Sequence, residues 1–178
     1  MHWMIDGYNV IRRDPALASQ EAVSLEAGRA ALCRLLARTA RASGEKFTVV
    51  FDGAGGGGAG SGGAAVSVVF SSARETADRV LARLAVKGGA VVSNDRDVRR
   101  AAERAGAIAV TTDQFLARLD GLAGPGTSAG AEDEATSPHM KDDETDDRPH
   151  PRKGNPRRLP RKRRAASRAL GRLGKPPG

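Results

Sequence analysis

The sequence predicts an α/β domain on a largely parallel sheet, and three observations carry that prediction. Through residues 1–120 short apolar runs alternate with segments of helical period, the pattern of repeated strand–helix units. The runs are nearly continuous rather than alternating, as strands covered on both faces require. Three of them are followed closely by an aspartate, Asp6, Asp52 or Asp95. Right-handed crossovers would bring those strand ends to one edge of the sheet.

The first run, MHWMIDGYNV, delivers Trp3, Met4 and Ile5 to Asp6 and a break at Gly7. A carboxylate at the end of a buried strand is costly unless it meets a metal, a hydrogen-bond network or solvent in a cleft. Asp6 is therefore read as one corner of a metal site, against the alternative of an Asx turn closed by Asn9. Arg12, Arg13, Asp14 and Pro15 read as a polar connection, and residues 19–42 as one amphipathic helix stopped at Ser43-Gly44.

FTVVF at 47–51 is a buried strand ending in Asp52-Gly53. The glycine-rich stretch 53–63 is read as a mobile loop; it lacks the GK[ST] ending of a phosphate-binding loop. AVSVVF at 65–70 is a third strand. A helix from about Arg74 would carry Glu75 and Asp78, three apart, on one face, where they also suit the helix dipole. Residues 90–92 form a short strand ahead of SNDRD, with Ser93 or Asn94 as the cap of a helix over 98–105 and Asp95 and Asp97 as site acids or first-turn acids. Residues 107–110 make the last strand, and Thr111-Thr112-Asp113 opens the last helix.

The chain has 178 residues and a formal charge of +8. Residues 1–120 hold 16 basic and 13 acidic side chains, a net of +3; residues 121–178 hold 13 and 8, a net of +5. This division predicts a folded domain at 1–120, a flexible linker with an acidic segment at 121–147 and a basic tail at 148–178. The single cysteine, Cys33, excludes an internal disulfide and suits a reducing compartment. No apolar run approaches the roughly 20 residues that span a bilayer, and no signal segment is evident, so a cytoplasmic location without membrane association is expected.

Several carboxylates on one sheet edge repel one another unless a cation or a proton relieves them. Oxygen donors suit Mg2+ or Mn2+, and such a site can orient a phosphodiester and activate water. His2, His139 and His150 lie at the terminus or in the polar tail and, with Cys33, make no zinc constellation. Beside this reading stands a resemblance. DGYNVI at 6–11, FDG at 51–53, ETADRVL at 75–81 and VVSNDRDV at 91–98, in that order, with an echo in KGNPRRLPRK at 153–162, resemble the YacP-like NYN-domain family. The stretch after FDG departs from it, being glycine and alanine where a more polar, basic segment is expected.

The resemblance implies a PIN-like, Rossmann-like three-layer fold and metal-dependent endoribonuclease activity, acting in some members on messenger RNA at the ribosome. By position it implies that Asp6, Asp78 and Asp95 form the metal centre and that Asn9 supports Asp6. Glu75, Asp97 and Asp52 are auxiliary candidates.

The tail is read as disordered in isolation. Arg157, Arg158, Arg161, Lys162, Arg163 and Arg164 are its candidate RNA contacts, and residues 165–173 could form a short helix on a ribosomal partner. The expected function is thus internal cleavage of RNA with Mg2+ or Mn2+. The alternative is a catalytically inactive RNA- or ribosome-binding module on the same fold. Oligomeric state is not legible.

Overall fold

The computed structural model describes residues 1–53, 65–72, 74–123 and 161–174. The glycine-rich stretch, the acidic segment, Arg157 and Arg158 therefore lie outside the described residues. Five parallel strands, β1 (His2–Asp6), β2 (Lys46–Phe51), β3 (Val66–Phe70), β4 (Ala90–Val92) and β5 (Ile108–Val110), form one sheet in the order β3-β2-β1-β4-β5. The order reverses direction at β1. In open α/β sheets that switch point, at the carboxyl ends of the strands, is where a ligand crevice opens.

Strand alternation sorts the core into two layers. Trp3, Ile5, Phe47, Val49 and Phe51 point to one face, under α1 (Gly7–Arg13), α2 (Pro15–Val23), α3 (Leu25–Ser43) and α6 (Thr112–Ala123). Met4, Val50 and Val91 point to the other, where Val80 and Leu81 of α4 (Ala77–Ala85) and Val98 of α5 (Arg96–Arg104) cover them. The sheet is covered on both sides, as its continuous apolar strands demand. No described helix is long and apolar enough to cross a membrane.

Local chemistry shifts several helix boundaries from those the sequence suggests. Residues 12–15 are no simple connection: α1 starts directly at Gly7 with Asp6 as its cap, and Asp14 caps α2 by accepting from Leu17 N at 2.9 Å. The single helix expected over 19–42 is two, because Ser24 adopts an extended backbone (φ −164°, ψ 153°) and its hydroxyl accepts from Ala27 N to begin α3. α3 ends as expected at Gly44, with φ +70°. α4 begins at Ala77, not near Arg74, with Thr76 as cap, which leaves Glu75 off the helix. α5 begins at Arg96 and is capped by Asp95 rather than by Ser93 or Asn94.

The described end of the basic tail is helical, as considered for residues 165–173, but the helix lies on the domain itself. A helix α7 (Arg161–Arg172) forms and packs on its own domain, burying Ala166, Ala169 and Leu173 in the layer that holds Trp3 and Phe115. Arg118 of α6 donates to the Leu170 carbonyl at 3.0 Å, and Lys162 pairs with Glu103 of α5. Small apolar residues three and four apart give this charged helix a narrow stripe that can lie against β5 and α6.

Gly7 shows why α1 can start so abruptly. A Cβ there would lie 2.3 Å from Phe51 Cε1 and 2.9 Å from Val49 Cγ1, so only glycine lets the chain turn against the sheet. Gly7→Ala should destabilise the fold by the upper end of the ~1–3 kcal/mol usual for overpacking, read from denaturant melts. Leu173→Ala should cost ~2–5 kcal/mol, the range for a buried leucine, and an unchanged melt would show that α7 does not dock on the domain.

Candidate functional site

Asp6 closes β1 and opens α1, so its position is set by the central strand and its carboxylate by what surrounds the turn. Oδ1 accepts from Asn9 N at 3.3 Å; Oδ2 accepts from Asn9 Nδ2 at 3.1 Å and from the Ser93 hydroxyl at 2.9 Å. Asp6 is thus a helix cap that also lines a cleft. Ser93, wholly buried after β4, also accepts from Asp95 N at 3.0 Å. One hydroxyl therefore ties the Asp6 carboxylate to the start of the Asp95 loop.

Asp95 spends Oδ1 on the amides of Asp97 and Val98, at 2.7 and 3.2 Å. Arg99 steadies the same loop by donating to the carbonyls of Ser93 and Asn94, at 3.1 and 2.8 Å, while Asn94 accepts from Thr112 N at 3.0 Å. Asp52 follows β2 and accepts the Ser71 hydroxyl at 2.6 Å, and that oxygen accepts from Gly53 N. Asp78 sits in the first turn of α4.

These four carboxylates line one open pocket of about 790 Å3 at the switch point, with Tyr8, Asn9, Arg12, Arg13 and Leu25 on the α1–α3 side. The charge is felt most at Asp78. Its proton affinity is raised above the ordinary aspartate range by partial withdrawal from water, then by Asp95, Asp6, Asp52 and Asp97 in that order.

The auxiliary acids differ. Glu75 is held by Arg83 through two bonds of 3.0 and 3.1 Å, which lower its pKa, and it does not line the pocket. Asp97 is 91% exposed, pairs with Arg100 at 3.7 Å and is likewise outside the pocket lining. Among the described residues, no three histidine, cysteine, aspartate or glutamate side chains form a ready-made metal cluster. Of the basic candidates, Arg161, Lys162 and Arg163 are exposed on α7, and Arg164 is half-buried. Lys162 meets the carboxyl end of α5, roughly 13 Å of helix from the end that Asp95 caps.

Sequence reasoning missed Ser93 as a ligand of Asp6, taking it for a cap, and missed Tyr8, Arg12 and Arg13 altogether. A hydroxyl at the point where a buried strand stops was the available signal for Ser93. The arginines became visible only once residues 7–13 proved helical.

The model of the YacP-like NYN domain matches residues 3–149. None of the curated proteins matches the sequence. Among solved structures, the chain is similar to Rae1 (YacP) from Bacillus subtilis, at 26% identity and a TM-score of 0.59 over 68% of this chain and 74% of that one. A mutant form of the same protein gives 26% identity and a TM-score of 0.58, over 68% and 75% of the two chains. The five-stranded parallel sheet is accordingly the NYN, PIN-like fold, and the chain belongs to the YacP-like NYN domain family.

Proposed function

We propose that the protein is an endoribonuclease that hydrolyses RNA internally with the help of Mg2+ or Mn2+. Its family is one of nucleases, and the observation that carries the finer reading is the convergence of Asp6, Asp52, Asp78 and Asp95 on one pocket. Four carboxylates and no nitrogen or sulfur ligand make a donor set for a hard cation. The raised proton affinity of Asp78 fits the same demand, since a cation would relieve the repulsion that a proton otherwise relieves.

Asp6, Asp78 and Asp95 are the residues assigned to hold the ion, with Asp52 beside them. When bound, such an ion neutralises phosphate charge and activates water for in-line attack. The protein's own contribution is positioning. Asn9 and Ser93 fix the Asp6 carboxylate, the capping bonds of Asp95 fall on Oδ1 with none to Oδ2 among the described residues, and Ser71 restrains Asp52. Arg161, Lys162 and Arg163 on α7 would hold RNA or a ribosome by sequence-blind, salt-sensitive phosphate contacts at a distance from the cut.

A non-catalytic RNA-binding module is the competing reading, favoured by the absence of a ready-made metal cluster among the described residues. The two separate on cleavage of single-stranded RNA in Mn2+, Mg2+ or chelator, with and without ribosomes. Metal-dependent internal cuts that Asp6→Asn abolishes without lowering the melting temperature support the nuclease; binding without cuts in every condition supports the module. Ser93→Ala should reduce cleavage ~10–100-fold, as expected for a partner that orients a ligand.

A second test uses stability. Because folding raises the proton affinity of Asp78, its ionised form weighs against the fold above its folded-state pKa, and the penalty fades as pH falls toward the ordinary aspartate range. Asp78→Asn should raise the melting temperature at pH 7, with the gain lost in acid. Mn2+ should raise the melting temperature of the parent protein and leave that of Asp78→Asn nearly unchanged.

A further inference from the structure

Two arginines of α1, Arg12 and Arg13, line the pocket and a third, Arg29, lies against the Tyr8 ring beside them; the three are not equivalent. Arg13 is committed to Asp113 at the start of α6, a carboxylate that also accepts from Asn94 at 3.0 Å. Arg29 of α3 donates to the Tyr8 hydroxyl and lies over the rings of Tyr8, Phe51 and Phe70 at 5.5, 5.5 and 5.1 Å. Among the described residues Arg12 has one acidic neighbour, Glu21, whose Oε1 lies 3.6 Å away; Glu21 is 15% exposed and Arg12 67%. That buried oxygen accepts no hydrogen bond among the described residues, so the pair attracts the guanidinium by charge without engaging one of its N–H groups.

Arg12 is nevertheless placed. Its guanidinium lies 5.2 Å from the centre of the Tyr8 ring, and that ring is fixed by the Arg29 bond to its hydroxyl and by Phe51, whose centroid is 5.2 Å away. A guanidinium resting on an aromatic face keeps its N–H edge outward, the edge that matches two phosphate oxygens. Tyr8 and Arg12 are also one turn apart on α1, whose first residue follows Asp6, so the platform and the acidic wall are fixed to one short helix.

We propose that Arg12, seated on Tyr8, is a phosphate clamp for the RNA strand, gripping a backbone phosphate next to the one that faces the carboxylates. The inference rests on the nuclease reading for its geometry, although binding at Arg12 can be measured without cleavage. Four carboxylates repel a polyanion, and a cation lining the same pocket gives the strand a foothold. Arg12 is thereby a binding residue with no part in bond breaking.

The test is binding of a fluorescent single-stranded RNA oligonucleotide to the full chain in chelator, with the RNA checked as intact, over a range of salt. Arg12→Gln should weaken binding about tenfold at low salt and reduce the slope of log affinity against log salt by about 0.7, the value for one lost contact to a single strand. Arg12→Lys should recover only part of the loss, because it keeps the charge and loses the stacked fork. Arg38→Gln, which removes an equal charge from the exposed side of α3 outside this pocket, should bind as the parent does.

Equal affinity for Arg12→Gln and the parent, an equal loss in Arg38→Gln, or no measurable RNA binding by the parent overturns the clamp. In cleavage assays with Mn2+, Arg12→Gln should raise KM and leave kcat nearly unchanged; a fall in kcat alone would also overturn it. If no divalent cation supports cutting but Arg12→Gln still loses affinity with the smaller slope, the nuclease reading falls and the clamp stands.

Discussion

The buried hydroxyl of Ser93 is the contact on which the site depends. It donates to Asp6 at the end of β1 and accepts the amide of Asp95 beyond β4, across the place where the sheet reverses its order. At such a point the chain leaves two paired parallel strands toward opposite faces of the sheet, and Ser93 ties the two departures together. Because Ser93 is shielded from water, both bonds must be made inside the protein or their loss is felt in full. The same serine thus closes the sheet edge and sets the spacing of two acids.

Around that tie the molecule concentrates like charge where a protein optimised only for stability would not. Asp78 carries the cost, in a carboxyl pushed toward protonation by partial burial and then by four others. The surroundings absorb it through local bonds: Asp6 and Asp95 cap helices, and Asp52 accepts from Ser71. Among the described residues no hydrogen bond reaches the Asp78 carboxylate, which makes it the natural reporter of anything cationic entering the pocket.

Docking of α7 changes how the basic residues bear on the site. Read as an unstructured arm, they could reach RNA anywhere; as a helix against β5 and α6, Arg161, Lys162 and Arg163 face outward at a fixed distance from the carboxylates. Any RNA held there must extend along the domain to reach the pocket, where α1 presents Arg12 and Arg13.

Four of the five strands were legible in the sequence within about one residue, because a buried parallel strand needs an apolar run and little else resembles one at that length; the first, read from Met1 to Val10, ends at Asp6, and its second half is α1. The convergence of Asp6, Asp52 and Asp95 followed from parallel topology, and the YacP-like NYN character from the order of four short motifs. Helix starts were not legible, since Asp6, Ser24 and Asp95 are as well suited to turns as to caps, and the choice depends on which amide each side chain meets. Glu75 was read onto a helix that starts two residues after it and turned instead to Arg83. The sequence by itself determined the sheet, its acidic edge and the family. Only the tertiary structure decided that Ser93 joins two acids, that Arg12 rests on Tyr8 and that α7 folds back onto the domain, because each contact unites residues whose pairing no local period or propensity encodes.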